Sequence, residues 1–274
     1  MLIRSDGKEV LVLDCHVHMG SSLFYGEPGK NTFRGEDIIQ EMNRCGVDAV
    51  YACPMGNPHT DYTEENDRII EYGRQYPNRI FAYARIHPWY KEKAVETVKN
   101  YVKQGLIKGL KFHAQVDGAY PVNSRVLIYP LMEEIKGKEL VVFFHSGKVF
   151  EDVPGLIIDL AMDFPDIKFI IGHHGLHGLH VEAISLARRV DNVWLDTSWC
   201  SPPSVIRTAV KTLGKHRVIF GSDTPYLVMQ MELEKVTKYC GLTEDEVDTI
   251  LGENSAQLLG YNVEPDKLPK VKMT

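Results

Sequence analysis

The 274-residue chain lacks the features that mark several large protein classes. No CxxC pair occurs, and the five cysteines, Cys15, Cys45, Cys53, Cys200 and Cys240, are odd in number and scattered. That argues against a thiolate zinc site and a disulfide framework, and it fits reduced thiols in a cytoplasmic protein. Neither GxGxxG nor GxxxxGKS/T appears, so the phosphate-cradling turns of dinucleotide and P-loop folds are missing. Positive charge is not in excess. The 31 Lys and Arg face 37 Asp and Glu, and at a net charge of −6 nothing draws the whole protein to nucleic acid or an anionic membrane. The locally basic stretch 267–272 reads as a solvated tail. The apolar run 10–13 is broken by Asp14 and is too short for a signal-peptide core, and no stretch approaches a membrane span. No repeat, low-complexity tract or linker interrupts the sequence, so a single domain over 1–274 is expected.

What is present is alternation. Short apolar runs rich in β-branched and aromatic residues recur at 9–16, 47–53, 80–86, 107–113, 140–145, 167–173, 192–197 and 217–223. Between them lie segments of helical spacing: 36–45, 66–75, 91–103, 129–136, 156–164, 181–189 and 204–213, followed by 244–251 and 255–259. In the first of these, Ile38, Ile39, Met42 and Cys45 form an apolar stripe that Gly46 ends. Strands alternating with helices imply parallel pairing, and eight such units imply an α/β fold of the (β/α)8 TIM-barrel type, which needs about 250 residues. The longest irregular stretch, 19–34, follows the first run. Together with 54–63 it is expected to carry specificity.

The histidines fall in register with this pattern. His16, His18, His113, His145 and His173 all end apolar runs, as does Asp223, and in a barrel those ends converge on one mouth. Strand alternation turns Asp14, His16 and His18 the same way. On its own an HxH pair is equally a pair of hydrogen-bonded strand-end histidines; partners elsewhere give it weight. His145 follows the run 140–144 and precedes a small-residue turn. Asp223 is a carboxylate that would be costly to bury without compensation, although alone it could equally cap the next helix. His16, His18, His145 and Asp223 together supply three nitrogens and one oxygen. That set suits one Zn2+, with Mn2+, Fe2+ or Co2+ as alternatives. Of the adjacent His173 and His174, alternation does not say which faces inward. His177 and His180 read as solvent-facing or structural, and His59, His87 and His216 as loop or surface residues.

The landmarks Asp14-Cys15-His16-Val17-His18, Gly109-Leu110-Lys111-Phe112-His113, Phe144-His145-Ser146-Gly147, Gly172-His173-His174-Gly175, Trp194-Leu195-Asp196-Thr197-Ser198 and Gly221-Ser222-Asp223-Thr224-Pro225 resemble the amidohydrolase-related TIM-barrel enzymes. That branch includes aminocarboxymuconate-semialdehyde and resorcylate decarboxylases. The resemblance implies His16, His18 and His145 as metal ligands, Asp223 as ligand or base, and His173 rather than His174 as the acid/base or electrophilic group. It also implies Asp14 as an optional fifth ligand. Some superfamily branches bridge two metals with a carboxylated lysine at the strand of Lys111, whereas the Gly-Leu-Lys-Phe-His form resembles the one-metal branch.

The leading expectation is a metal-dependent hydrolase of a small ester, lactone or amide. A cation would lower the pKa of its water toward about 7, with Asp223 shuttling the proton and His173 polarising the carbonyl. Arg85 and His113 are the candidate substrate-binding pair, and a surface ion pair is the plain alternative for Arg85. The second expectation is non-oxidative decarboxylation of a small carboxylic acid on the same residues. The third is a metal- or ligand-binding barrel without turnover. A small-molecule substrate, no nucleic acid and no membrane are expected as partners; a homo-oligomer is left open.

Overall fold

The computed structural model describes residues 2–4, 7–21, 32–147, 150–176, 178–262 and 271–272. Its strands are β1 (Leu2–Ile3), β2 (Glu9–Val10), β3 (Leu13–Ser21), β4 (Thr32–Phe33), β5 (Ala49–Pro54), β6 (Ile80–Arg85), β7 (Gly109–Phe112), β8 (Val141–Phe144), β9 (Lys168–Ile171), β10 (Val193–Asp196), β11 (Val218–Ile219) and β12 (Val271–Lys272). Eight of these, β3 and β5 to β11, pair in sequence order as one curled parallel sheet, with β4 antiparallel on the end of β3. Backbone bonds also join β3 to the segment that follows β11. The Cys15 N–H donates to Phe220 O (3.0 Å), Asp223 N–H to His16 O (2.7 Å) and His18 N–H to Thr224 O (2.7 Å).

The helices are α1 (Gly35–Cys45), α2 (Thr63–Gln75), α3 (Glu92–Gln104), α4 (Tyr129–Ile135), α5 (Pro154–Asp163), α6 (His180–Ala187), α7 (Ser204–Leu213), α8 (Met229–Glu234), α9 (Glu244–Asp248) and α10 (Asn254–Leu259). Their ends follow local chemistry. In α1, Ile38, Met42 and Cys45 are buried along one stripe, and Gly46 takes the left-handed C-cap at φ 75°. Thr243 and Glu246 form a reciprocal capping box at the start of α9. Among the described residues no helix is long and apolar enough to cross a membrane.

The strands bury both faces, which is why they read as continuous apolar runs. Cys15, Tyr51, Cys53, Tyr83, Val141, Phe143, Ile170 and Ile219 pack together in an inner cluster. Their strand neighbours Val50, Ala52, Ala82, Ala84, Leu110, Phe112, Val142, Phe144, Phe169 and Ile171 belong to the larger cluster shared with the helices.

Several expectations need correction. The first run splits: Glu9–Val10 pairs antiparallel with β1, and the strand that joins the large sheet is Leu13–Ser21, so it continues beyond both His16 and His18. The stretch 19–34 therefore begins in strand, and Thr32–Phe33 pairs back onto Gly20 and Ser21; residues 22–31 lie outside the described residues. Helix α8 is absent from the sequence reading, and α2 begins at Thr63, three residues earlier than its apolar spacing suggests. His87 is buried rather than on the surface. It lies edge-on to Tyr90, with ring centroids 5.2 Å apart. His180 opens α6 as a buried structural residue whose Nδ1 bonds His174 O, and His177 lies outside the described residues.

Candidate functional site

Alternation along β3 is interrupted where the sequence assumes it continues. Its register against β5 shifts between Asp14 and Val17. Cys15 consequently joins the inner cluster, while the neighbouring His16 ring lies 4.3 Å from Phe143. Asp14 turns elsewhere: its Oδ1 accepts the backbone N–H groups of His16 and Ser222. Burial pushes its carboxyl up to about 7. Asp14 thus joins neither of the potential metal-ligand groups found among the described residues, which are His16, His173 and Asp223 in one and His113, His145 and Asp152 in the other.

The first group joins His16, within β3, to His173 and Asp223, which follow β9 and β11. His16 Nε2 and His18 Nε2 are 3.1 Å apart, and Asp223 Oδ1 lies 3.3 Å from the former and 3.0 Å from the latter. Ring nitrogens and a carboxylate oxygen crowded this closely call for a positive charge between them, a proton on His18 or a bound cation. Lys111 Nζ supplies one from the side, 2.8 Å from His16 Nε2 and 3.9 Å above the Phe143 ring. The donor set therefore fits a divalent cation by both chemistry and convergence. His145 reaches this group through His173, whose Nε2 is 3.1 Å from His145 Nδ1. It also stacks on His113 with ring centroids 3.7 Å apart.

The surroundings set the charge states. Burial, assisted by the Lys111 charge, pushes His16 down to about 4, and burial pushes His173 down to about 3, so both are neutral near pH 7. Burial disfavours a charge on His18 as well, yet Cys53 and Asp223 raise it to about 9. Burial opposes ionisation of Asp223, but the imidazoles of His16, His18 and His173 hold it well below the usual carboxylate range. Its Oδ2 accepts Trp199 Nε1–H at 2.6 Å.

Backbone geometry marks the same place. His173, His174, Trp199 and Asp223 all have left-handed φ, between 50° and 58°. Each such non-glycine residue costs about 1–3 kcal/mol, a penalty borne where surrounding contacts over-determine the conformation. The two left-handed residues in succession also resolve the His173–His174 question. His173 faces the group, whereas His174 points its Nδ1 to Asp196 O at 2.6 Å, behind the strand.

Arg85 is neither exposed nor in a surface ion pair. It is fully buried, forked onto Asp117 by Nε (3.1 Å) and Nη2 (2.9 Å), with Nη1 on Pro54 O. Tyr62 donates to Asp117 at 2.6 Å and places its ring 4.7 Å from the guanidinium carbon. A pocket of about 490 Å³ opens above the whole constellation. Its walls include His18, Arg85, His113, His145, His173, Trp199, Asp223 and Tyr226.

Asp196 and Ser198 belong to the site as well, beside His16 Nδ1 and His173 Nδ1. Asp196 ends β10 as Asp223 follows β11, so the strand-end rule applied to the histidines would have found it. Trp199, Tyr226, Cys53 and Asp117 carried no comparable signal, because only the folded loops bring them together.

The family model described as amidohydrolase matches residues 14–261. Similar solved structures include 5-carboxyvanillate decarboxylase LigW from Sphingomonas paucimobilis, at 16% identity and a TM-score of 0.75, covering 93% of this chain and 100% of that one. The 5-carboxyvanillate decarboxylase of Novosphingobium aromaticivorans, complexed with manganese and 4-hydroxy-3-methoxy-5-nitrobenzoic acid, aligns at 13% identity and a TM-score of 0.76, over 94% and 98% of the two chains. A dihydroxybenzoic acid decarboxylase from Polaromonas, with bound manganese and 2-nitroresorcinol, aligns at 13% identity and a TM-score of 0.72, over 94% and 99%. No curated protein sequence matches at a significant level.

Proposed function

Because the chain belongs to the amidohydrolase family, we propose that it is a metal-dependent decarboxylase of a small aromatic carboxylic acid, built as one (β/α)8 barrel domain over residues 1–274. The backbone bonds between β3 and the segment that follows β11 support the closed barrel. The five cysteines, all free and buried, support a reducing, cytoplasmic setting. The observation that carries the reaction is the pocket wall. Flat side chains, Trp199, Tyr226 and the stacked His113 and His145, line a cavity with a buried arginine at its edge and the histidine–aspartate group beside it. That is a slot for a planar anion. The decarboxylases of the same fold, two of them with bound manganese and nitro-aromatic ligands, agree with it.

We assign one divalent cation to His16, His18, His145 and Asp223. The three-nitrogen, one-oxygen set suits Zn2+, and the manganese-bound relatives make Mn2+ the first alternative. Bound there, the cation supplies Lewis-acid charge that steadies an anionic substrate oxygen. The protein's own groups do the rest. His113 and Arg85 orient the substrate. Gly56 and the buried Arg85 both line the pocket, and a Cβ at Gly56 would lie 3.5 Å from Arg85 Nη1 and Nη2, so the glycine keeps a side chain out of the space beside the guanidinium. As the carbon–carbon bond to the carboxylate breaks, its electron pair stays on the ring carbon. Asp223, having taken a proton from the bound substrate, delivers it there while CO2 leaves.

Hydrolysis is the second reading. Asp223, held ionised beside the donor set, is equally suited to take a proton from water. The test is to load the protein with Zn2+ or Mn2+ and offer carboxyl-13C hydroxybenzoates alongside esters, lactones and amides. Labelled CO2 is expected. Turnover of an ester, lactone or amide without CO2 release would replace decarboxylation by hydrolysis. Metal uptake with no turnover across both panels would favour a binding protein.

A further inference from the structure

Asp196 receives an unusual number of donors. Its Oδ1 accepts Ser198 N–H at 3.0 Å, and its Oδ2 accepts His173 N–H at 3.2 Å. His16 Nδ1 lies 2.9 Å from the same Oδ2, and Ser198 Oγ 2.5 Å. A carboxylate already holding two backbone N–H groups is an acceptor, so both side-chain partners must donate to it. The consequence for His16 is direct: Nδ1 carries the proton and Nε2 keeps the lone pair that faces His18 and Asp223.

The serine passes this direction on. With its hydrogen committed to Asp196, Ser198 Oγ can only accept from His173 Nδ1, 2.8 Å away. His173 therefore holds its proton on Nδ1, and its Nε2 is a lone pair. That lone pair lies 3.1 Å from His145 Nδ1, which must then be the donor, leaving the His145 lone pair on Nε2. All five groups in this chain are buried, so water does not scramble the assignment.

We infer that Ser198 is a positioning residue: it relays the acceptor character of Asp196 to His173 and, through His173, to His145, so that one carboxylate fixes the tautomer of three site histidines. His16 thereby keeps its lone pair on Nε2, toward His18 and Asp223, His145 keeps its lone pair on Nε2, and His173 Nε2 is an acceptor in the resting site. The inference rests on placing these histidines in the site proposed above. It does not depend on whether that site decarboxylates or hydrolyses.

The test reads tautomers, not turnover. Protein labelled with 15N-histidine and loaded with Zn2+ is examined by long-range 1H–15N correlation, with His173→Asn and His145→Gln used to assign the two rings. Nδ1-protonated signals are expected for both rings in the wild type. In Ser198→Ala the His173 pattern should shift to Nε2–H or to an average of the two forms, and Ser198→Thr should restore it, with the His16 pattern and the zinc content unchanged. A wild-type His173 protonated on Nε2 would overturn the inference without any variant. So would a Ser198→Ala protein whose His173 pattern is unaltered. A protein that showed the expected tautomers yet released no CO2 would leave the relay standing and remove the proposed reaction.

Discussion

At the scale of the residue, neighbours in sequence have opposite assignments. His173 faces the pocket, and His174 bonds the carbonyl behind the strand. His145→Ala removes a proposed ligand and is expected to lower metal content and activity together. His173→Asn is expected to keep the metal and lose about 10²–10⁴-fold in rate, the usual span for an acid/base group. His174→Asn, which leaves the pocket wall unaltered, is expected to affect stability more than rate. Elemental analysis and rate measurements on the three folded variants check the set, and metal loss in His173→Asn with retention in His145→Ala would exchange the two roles. Arg85 offers a stability test of its own. Arg85→Met leaves Asp117 buried and uncompensated, which costs about 3–5 kcal/mol. The double variant Arg85→Met, Asp117→Leu should recover most of that in urea unfolding. Equal losses in single and double variants would show that the fork onto Asp117 contributes little.

At the scale of the element, the site depends on how closely β3, β10 and the end of β11 approach. A Cβ on Gly221 would fall 2.2 Å from Asp196 Oδ1 and 2.8 Å from His16 Cβ, so a side chain cannot enter without moving the strands. Gly221→Ala is expected to destabilise the protein by about 1–3 kcal/mol, as overpacking does, and to weaken metal binding because His16 and Asp196 are displaced together. Thermal unfolding with and without metal measures both effects, and a variant with unchanged melting and metal affinity would show that the close approach is not needed. The register shift in β3 works at the same scale: it places His16 against Phe143 although Cys15 already belongs to the inner cluster.

At the scale of the whole molecule, burial of the histidines predicts how metal binding responds to pH. A cation needs neutral imidazoles. His16 and His173, pushed down to about 4 and about 3, already are neutral at pH 6 to 8. His18, raised to about 9, is protonated there, so binding must displace its proton. Affinity should therefore fall as pH falls below about 9, by about tenfold per unit for the one proton released. A titration with Zn2+ at pH 6, 7 and 8 gives the slope. A flat profile would show that His18 is neutral before the metal arrives; a slope near two log units per pH unit would show that His16 is protonated as well.

Much of this was legible in the sequence, for a definite reason. A strand buried on both faces must be apolar along its length, so polar residues that close or interrupt the runs declare themselves: His145, His173 and Asp223 just beyond β8, β9 and β11, and His16 and His18 within β3. The eight parallel strands and the family follow from the same periodicity and landmarks. What the sequence left open concerned direction and depth. Strict alternation assigned Asp14 to the metal face, and the break in register along β3 sent it to the backbone of Ser222 instead. Arg85 could have been on the surface until Asp117 and Tyr62, 32 and 23 positions away in the chain, closed over it. The proton positions on the histidines were decided only by the tertiary structure, because a tautomer is set by the partner of the remote ring nitrogen, and those partners, Asp196 and Ser198, come from the end of β10 and the loop after it.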